Sequence, residues 1–228
     1  MKIAIALICC GFLFMSMDDI ALAQNVATPG KHATQKPKDA AKDSPANELP
    51  QVAIQMANDY FNASQVMTAD FVQIGADGRR SEGKLYVSKP GRLRFEYAQP
   101  ATMEIIADGV SVAIRDRKLQ TQELYFINDT PLKFLLKTGV NLQRDVKIVS
   151  VSSDDKATTI NVEDTATFGG TSKIKLKFDN KNFSLKQWEV TDPQGYQTLI
   201  TLHNIDLNST VDVNLFKIPS NNHFPFAN

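Results

Sequence analysis

The feature of this sequence that most constrains its fold is an alternation of apolar and polar residues that continues through most of the chain. The clearest example is Leu93-Arg94-Phe95-Glu96-Tyr97, where every second side chain is bulky and apolar. A period of two residues is typical of a strand that buries one face and exposes the other. Such strands recur roughly every 8–12 residues, which predicts an antiparallel sheet curled into a barrel or half-barrel.

Tight turns separate the predicted strands. Residues 76–79, Ala-Asp-Gly-Arg, and the pair Asp108-Gly109 are typical hairpin signals. The predicted strands cover residues 67–72, 84–88, 92–97, 103–107, 110–114, 124–127, 146–151, 157–162, 173–178, 183–190 and 197–207.

Two segments depart from this pattern and predict helices. In residues 49–63 apolar side chains recur at helical spacing, with Pro50 in the first turn. In residues 130–139 Thr130 can cap a helix, Pro131 suits its first position and a glycine ends it. At roughly eight residues the second helix is too short to be stable alone, so we expect it to pack on the sheet.

The N-terminus has the pattern of an export signal. Lys2 precedes an uncharged apolar stretch that ends at Met17, and Ala21-Leu22-Ala23 follows. The stretch is shorter than the about 20 residues of a membrane-spanning helix, so we predict a signal peptide that is cleaved after Ala23. Residues 24–48 contain several prolines and almost no bulky apolar residue, which predicts a disordered leader. Residues 49–228 then form a single domain.

Both cysteines of the chain, Cys9 and Cys10, lie inside the predicted signal peptide. Ile8 precedes the first of them, and neither cysteine follows the small residue that a lipoprotein signal needs, so we do not expect acylation. The mature chain is expected to be soluble and without thiols, disulfides or a cysteine nucleophile.

The charge balance excludes one large class of function. The chain has 25 Lys and Arg residues against 25 Asp and Glu residues. Loss of residues 1–23 removes one basic and two acidic residues, which leaves a net charge near +1. A nucleic-acid-binding protein needs a much stronger basic surface, so we expect no nucleic-acid partner.

The sequence shows none of the common catalytic or metal-binding patterns. The histidines are His32, His203 and His223, and their spacing matches no metal site. Glycine-rich nucleotide motifs and the G-x-S-x-G nucleophile motif do not occur. Residues 168–170, Phe-Gly-Gly, predict a turn rather than a phosphate cradle. We therefore predict no enzyme activity, no catalytic residue, no metal site and no cofactor.

The remaining polar and aromatic residues fit a simple sheet. Most carboxylates fall at turns or on the outward side of strands, as Asp70 and Glu96 do. Arg92 and Arg94 are expected to be solvated on the outer face, and Trp188 is expected to pack within the sheet.

Four sequence blocks then point to a family. Residues 69–73 read Ala-Asp-Phe-Val-Gln, and residues 82–97, followed by Pro100, read Glu-Gly-Lys-Leu-Tyr-Val-Ser-Lys-Pro-Gly-Arg-Leu-Arg-Phe-Glu-Tyr. Thr130-Pro131-Leu132 and then residues 215–219, Leu-Phe-Lys-Ile-Pro, complete the order. From about residue 49 to 219 the chain resembles the outer-membrane lipoprotein carrier (LolA-like) family of Gram-negative bacteria.

The resemblance implies a fold and a function. The fold is mainly β, an unclosed antiparallel barrel or half-barrel of about ten to eleven strands under a lid of short α-helices. The function is that of a monomeric periplasmic carrier for the acyl chains of lipoproteins. An inner-membrane ABC lipoprotein-releasing transporter supplies the cargo, and an outer-membrane acceptor receives it.

The inward-facing residues of the first predicted strands are the candidate acyl-chain cavity. They are Met67, Ala69, Phe71, Leu85, Val87, Leu93, Phe95, Tyr97, Met103, Ile105, Val112 and Ile114. The candidate lid and latch residues are Lys89, Pro131, Leu132, Leu135 and Leu136. In the family an arginine commonly stands where this chain has Lys89, and it hydrogen-bonds to lid-helix backbone. A lysine keeps the charge but lacks the planar fork of donors.

Two other functions compete with the carrier. A sensor or acceptor domain of the same fold would bind lipid or another apolar ligand. An acceptor would need a usable acylation site, and a sensor would need a transmembrane helix or a second domain. A hydrolase on a curved sheet would need a catalytic group that the histidine inventory does not supply.

Overall fold

The computed structural model describes residues 45–131 and 133–220. The predicted signal peptide and the leader up to residue 44 lie outside these ranges. The helices are α1 (Pro45–Asn62), α2 (Lys133–Leu136) and α3 (Leu142–Asp145), and the strands are β1 (Val66–Ile74), β2 (Arg80–Ser88), β3 (Arg92–Tyr97), β4 (Met103–Asp108), β5 (Ser111–Asp116), β6 (Thr121–Phe126), β7 (Lys147–Ser153), β8 (Ala157–Thr167), β9 (Gly170–Asp179), β10 (Leu185–Thr191) and β11 (Gln197–Asp206). Single 3₁₀ turns occur at Ile127–Asp129 and Val213–Phe216.

The eleven strands of the described residues form one antiparallel sheet. Its order is β6-β5-β4-β3-β2-β1-β11-β10-β9-β8-β7, so the first and last strands of the chain pair in the middle. In the described part of the chain β6 pairs only with β5 and β7 only with β8, and the sheet is therefore not closed. The predicted fold class, an unclosed antiparallel sheet with a few short helices, is confirmed.

The strand register places the alternating apolar residues on one face. Ala69 lies opposite Leu85, which lies opposite Phe95, and the same row continues through Ile105 to Ile114. Because side chains alternate between faces, residues two positions away join neighbouring rows on the same side. The result is a continuous inner face that also includes Trp188 and Leu176 in the other half of the sheet.

Three helices cover this inner face. The helix α1 precedes the central strand β1, whereas α2 and α3 lie in the segment that joins the two edge strands β6 and β7. All three contribute buried apolar side chains to the same cluster as the strands. No helix within residues 45–131 and 133–220 combines the length and the hydrophobicity that crossing a membrane requires.

The helix boundaries differ from the prediction. The helix α1 begins at Pro45, so Pro50 lies inside the helix instead of in its first turn. Thr130 does not cap α2, because its hydroxyl donates a 2.8 Å hydrogen bond to the carbonyl oxygen of Ile127 and ends a 3₁₀ turn. The helix predicted over 130–139 is consequently shortened to the four residues of α2.

A buried ion pair on the outer face of the sheet shows that the expectation of a solvated Arg94 is wrong. The guanidinium of Arg94 lies 3.3 Å from the Glu104 carboxylate and also donates to the carbonyl oxygen of Leu215. Only 17% of the Arg94 side chain is exposed, so it is not a solvated charge, and Arg92 is half-buried. The C-terminal segment around Phe216, which is buried, covers this part of the sheet.

Gly83 allows β2 and β3 to pair closely. A Cβ atom at Gly83 would lie 2.0 Å from the carbonyl oxygen of Glu96, which belongs to the backbone and cannot move aside alone. We expect Gly83→Ala to lower the free energy of unfolding by about 3 kcal/mol or more, which is a fall in Tm of about 10 °C. A thermal melt followed by circular dichroism measures this.

The matched control for that change is Gly75→Ala. A Cβ there would lie 3.1 Å from Oδ1 of Asp77, the end of a side chain that can rotate. Equal losses of Tm in the two variants would contradict the role of Gly83.

Candidate functional site

The structure places the twelve candidate cavity residues together on the inner face of β1 to β5. Eleven of them are buried, and Met103 is half-buried and packs against the others. The strand alternation therefore brings the whole set to one side of the sheet. Their contact with acyl chains stays a prediction.

These residues fill their own half of the sheet. The ring centroid of Phe71 lies 5.0 Å from that of Phe95 and 5.1 Å from that of Tyr97, in edge-to-face geometry. The hydroxyl of Tyr97 donates a 2.7 Å hydrogen bond to Gln73. Burial raises the pKa of Tyr97 well above its usual range. Around these three rings the inner face is a close-packed core.

A mainly apolar space lies in the other half, between the helices α2 and α3 and the strands β8 and β9. Its volume is about 110 Å³. The apolar side chains that line it are Phe134, Val140, Leu142, Val146, Val162, Ile174 and Leu176, and the polar ones are Lys133, Lys137, Asp145 and Asp164. We call this space the α2–α3 cavity. An apolar cavity of about 150 Å³ holds one benzene molecule, so a whole acyl chain does not fit the α2–α3 cavity without movement of its cover.

A second and smaller space lies beside the candidate latch. It measures about 20 Å³, and its lining includes Lys89, Leu135 and two of the candidate cavity residues, Met67 and Val87. The inner face therefore meets the lid at two imperfectly filled places, one on each side of α2.

The helix α2 packs across the inner face. The ring of Phe134 lies edge-to-face with Phe61 of α1 at 5.6 Å and with Trp188 of β10 at 6.2 Å. The amide of Gly91 donates a 2.9 Å hydrogen bond to the carbonyl oxygen of Leu136, the last residue of α2. Of the candidate lid residues, Pro131, Leu135 and Leu136 are buried, and Leu132 lies outside the described residues.

The side chain of Lys89 bonds to lid-helix backbone. Its ammonium group donates a hydrogen bond to the carbonyl oxygen of Phe61, in the last turn of α1. Free carbonyls and the negative end of the helix dipole make this a favourable place for a cation. The side chain is half-buried, and burial lowers the pKa of Lys89.

Two asparagines join α1 to the segment that carries α3. The buried amide of Asn58 accepts a hydrogen bond from the amide of Leu142 and donates one to the side chain of Gln143. Asn62 both accepts from the amide of Val140 and donates to its carbonyl oxygen, each at 2.9 Å. These bonds hold the two parts of the lid together as one unit.

The rim of the α2–α3 cavity is ionic. Lys133 Nζ lies 2.6 Å from Asp164 Oδ1, and Lys137 Nζ lies 2.6 Å from Asp145 Oδ1. Partial burial alone would raise the pKa of Asp145, but hydrogen bonds from Arg144 and Lys137 outweigh it and hold the pKa well below its usual range.

Asp164 and the helix α3 are two parts of this rim that are not among the predicted site residues and elements. Asp164 continues the inward alternation of Ile160 and Val162, so the same period that located the apolar residues could have located it. The helix α3 has a cap signal, because Asn141 accepts a hydrogen bond from the amide of Arg144. The expectation that carboxylates face solvent is wrong for Asp164, and the sequence prediction contains no helix between residues 140 and 145.

Comparison with known proteins adds a family. The family model described as outer membrane lipoprotein carrier protein LolA matches residues 62–219 of the 228. The outer-membrane lipoprotein carrier protein of Leptothrix cholodnii is 25% identical over 147 residues, which cover 63% of this chain and 68% of that protein. The corresponding protein of Dechloromonas aromatica is 25% identical over 174 residues, 72% and 82% of the two chains. That of Legionella pneumophila is 27% identical over 175 residues, 73% and 85%.

Solved structures with a similar course of the chain are more distant in sequence. A LolA superfamily protein of Nitrosomonas europaea is 10% identical, with a TM-score of 0.43 over 74% of this chain and 97% of that one. The MucA/MucB complex of Pseudomonas aeruginosa gives 10% identity and a TM-score of 0.36 over 74% and 61%.

Phe134 is the side chain through which α2 reaches the middle of the sheet. We expect Phe134→Ala to lower the free energy of unfolding by about 3–5 kcal/mol, as large truncations in a core do. Trp188 is the chain's one tryptophan, and loss of its aromatic neighbour admits water and shifts its emission to the red. Fluorescence spectra and a denaturant melt measure the two effects.

Phe168→Ala is the matched control, because 48% of that side chain is already exposed. It should leave the Trp188 emission unchanged. An unchanged spectrum in Phe134→Ala as well would contradict the packing of α2 on Trp188.

Proposed function

The chain belongs to the outer-membrane lipoprotein carrier family, and from this premise we propose that it carries acylated lipoproteins through the periplasm. In this proposal it accepts the acyl chains when an inner-membrane ABC transporter releases a lipoprotein. It then passes them to an acceptor at the outer membrane, and it acts as a monomer without catalysis.

The need for such a carrier follows from the cost of exposing an acyl chain. Burial of a chain yields roughly 0.8 kcal/mol per methylene, so a sixteen-carbon chain costs on the order of 12 kcal/mol to hold in water. A lipoprotein with several such chains does not cross an aqueous compartment unshielded. The carrier therefore needs an apolar interior that can be opened.

The observation that carries the proposal is the way in which the inner face is covered. The apolar face of a large sheet lies under α2 and α3, which have four residues each, and under α1. Helices of four residues have no stability of their own. Such a cover can separate from the sheet without breaking a single strand pairing.

The α2–α3 cavity is the place where this cover fits least closely. Its 110 Å³ is well below the roughly 300–1,000 Å³ of a typical ligand pocket. We infer that cargo lifts the lid, and that the acyl chains then also reach the packed residues of β1 to β5, the twelve candidates named above.

Release of a labelled lipoprotein from membranes tests the proposed function. The full chain is mixed with membranes that hold the labelled lipoprotein and the ABC transporter, ATP is added, and the soluble fraction is measured. We expect the lipoprotein to become soluble in a complex with this chain. Cargo that stays in the membrane would overturn the proposal.

A variant that fills the α2–α3 cavity tests whether release of the lipoprotein depends on this cavity. Val162 lines the α2–α3 cavity, and we expect Val162→Phe to reduce the soluble lipoprotein severalfold while the protein keeps its Tm. The control is Val149→Phe on β7, where 55% of the side chain is exposed. Equal release by both variants would remove the α2–α3 cavity from the proposal.

Lys89 is proposed to hold α1 closed. A hydrogen bond from a charged donor contributes about 1.5–3 kcal/mol, so Lys89→Met should lower Tm by roughly 5 °C and speed the loss of bound lipoprotein. Lys89→Arg should retain most of the closure. Lys84→Met, which breaks an exposed pair with Asp70, is the control, and an equal effect of the two methionine variants would argue against a latch at Lys89.

A further inference from the structure

A buried ion pair closes one side of the α2–α3 cavity. Lys133, the first residue of α2, lies 2.6 Å from Asp164, which stands on the inner side of β8. The Asp164 side chain is 2% exposed and that of Lys133 is 20% exposed. Both residues also line the cavity. The pair thus joins the lid helix α2 to strand β8 at the rim of the cavity.

The other attachments of α2 come from Leu136 at its opposite end and from Phe134. Leu136 accepts its hydrogen bond from Gly91 in the turn between β2 and β3, on the far side of the central strands. Phe134 packs towards α1 and β10. The helix therefore bridges the two halves of the sheet. On the β8 side the amide of Phe168 bonds to the carbonyl oxygen of Asp129 in the turn before α2, and Lys133–Asp164 is the bond from the helix itself that must part for α2 to rise.

The pair is well placed to open. Asp164 Oδ1 accepts the bond from Lys133 and a second one from the amide of Ala166 at 3.0 Å, whereas Oδ2 is buried without a hydrogen-bond partner. Removal of two charges from water offsets most of what their attraction returns, and an unpartnered oxygen adds to the cost. Such a pair as a whole adds little net stability, but loss of one partner leaves the other charge unpaired in the closed state and so favours opening.

We propose that Lys133–Asp164 is the gate through which an acyl chain enters the α2–α3 cavity. The inference rests on the proposed carrier function and adds its point of entry. The chain passes between α2 and β8 once the pair has separated. Because the closed space of about 110 Å³ is too small for the chain, the pair stays apart while cargo is bound.

A gate of this kind determines how the association rate, the dissociation rate and the apparent Kd change when the ion pair is weakened. Only the fraction of molecules with the pair apart can bind, so the apparent Kd exceeds the intrinsic one by the inverse of that fraction. A change that weakens the pair therefore raises the association rate and lowers the apparent Kd by the same factor. The dissociation rate does not change, since the bound state lacks the pair already.

Stopped-flow fluorescence with 11-(dansylamino)undecanoic acid measures these constants on the full chain. The variants are Asp164→Asn, which keeps the size of the side chain, and Lys133→Met, which keeps its length. We expect each to raise the association rate and the affinity on the order of tenfold, the scale of one charge-assisted hydrogen bond.

The matched control is the neighbouring residue on the same strand. Glu163 pairs with Lys147 at 2.9 Å on the outer face, where the lysine side chain is 70% exposed. Glu163→Gln removes one carboxylate charge from β8, as Asp164→Asn does, but leaves the gate intact. Its rates should equal those of the unchanged protein.

The outcomes separate the gate from the carrier function. If the unchanged protein binds the probe and both gate variants keep its association rate, the gate is wrong and the carrier stands. A parallel rise of the dissociation rate would also overturn the gate, since it indicates general loosening. A protein that neither binds the probe nor releases lipoprotein from membranes refutes both. Thermal melts show whether Asp164→Asn or Lys133→Met fails to fold. If one of them does, the rates of the other variant test the gate.

Discussion

The inner face of the sheet is apolar along strand after strand, and the rest of the structure depends on keeping that face from water. A second sheet would cover it permanently. This chain instead uses α1 and the segment between β6 and β7, whose helices have four residues each. Lys89, Gly91 and Lys133 bond this cover to the sheet, and Asn58 and Asn62 join its two parts to each other. Its attachment is therefore independent of the hydrogen bonds that hold the sheet.

The two halves of the inner face serve different needs. Around Phe71 and Phe95 the rings pack against one another and give the sheet a stable core. Beneath α2 and α3 the packing is incomplete, and the polar rim of Lys133 and Asp164 stands beside apolar walls. A carrier needs both properties, because it must stay folded while its interior exchanges one set of apolar contacts for another.

Much of the fold follows from local sequence rules, and the exceptions have physical causes. The alternation in residues 93–97 predicts both the strand and its buried face, because the period of two follows from backbone geometry. The helix start predicted at Thr130 is wrong, because its hydroxyl donates to the carbonyl oxygen of Ile127 instead of accepting a hydrogen bond from an amide of the following helix. Arg94 is predicted to face solvent because charges usually lie there, and only its tertiary contacts reveal that it is paired with Glu104. The burial of Asp164 likewise depends on a distant partner, Lys133. The α2–α3 cavity depends on how two distant segments fit, which no local pattern encodes.

The segment that carries α2 and α3 starts at one edge of the sheet and ends at the other. It therefore crosses the inner face from one edge strand to the other. Because both of its ends continue into strands of the sheet, this part of the cover is joined covalently at two edges and stays tethered to the sheet wherever it moves.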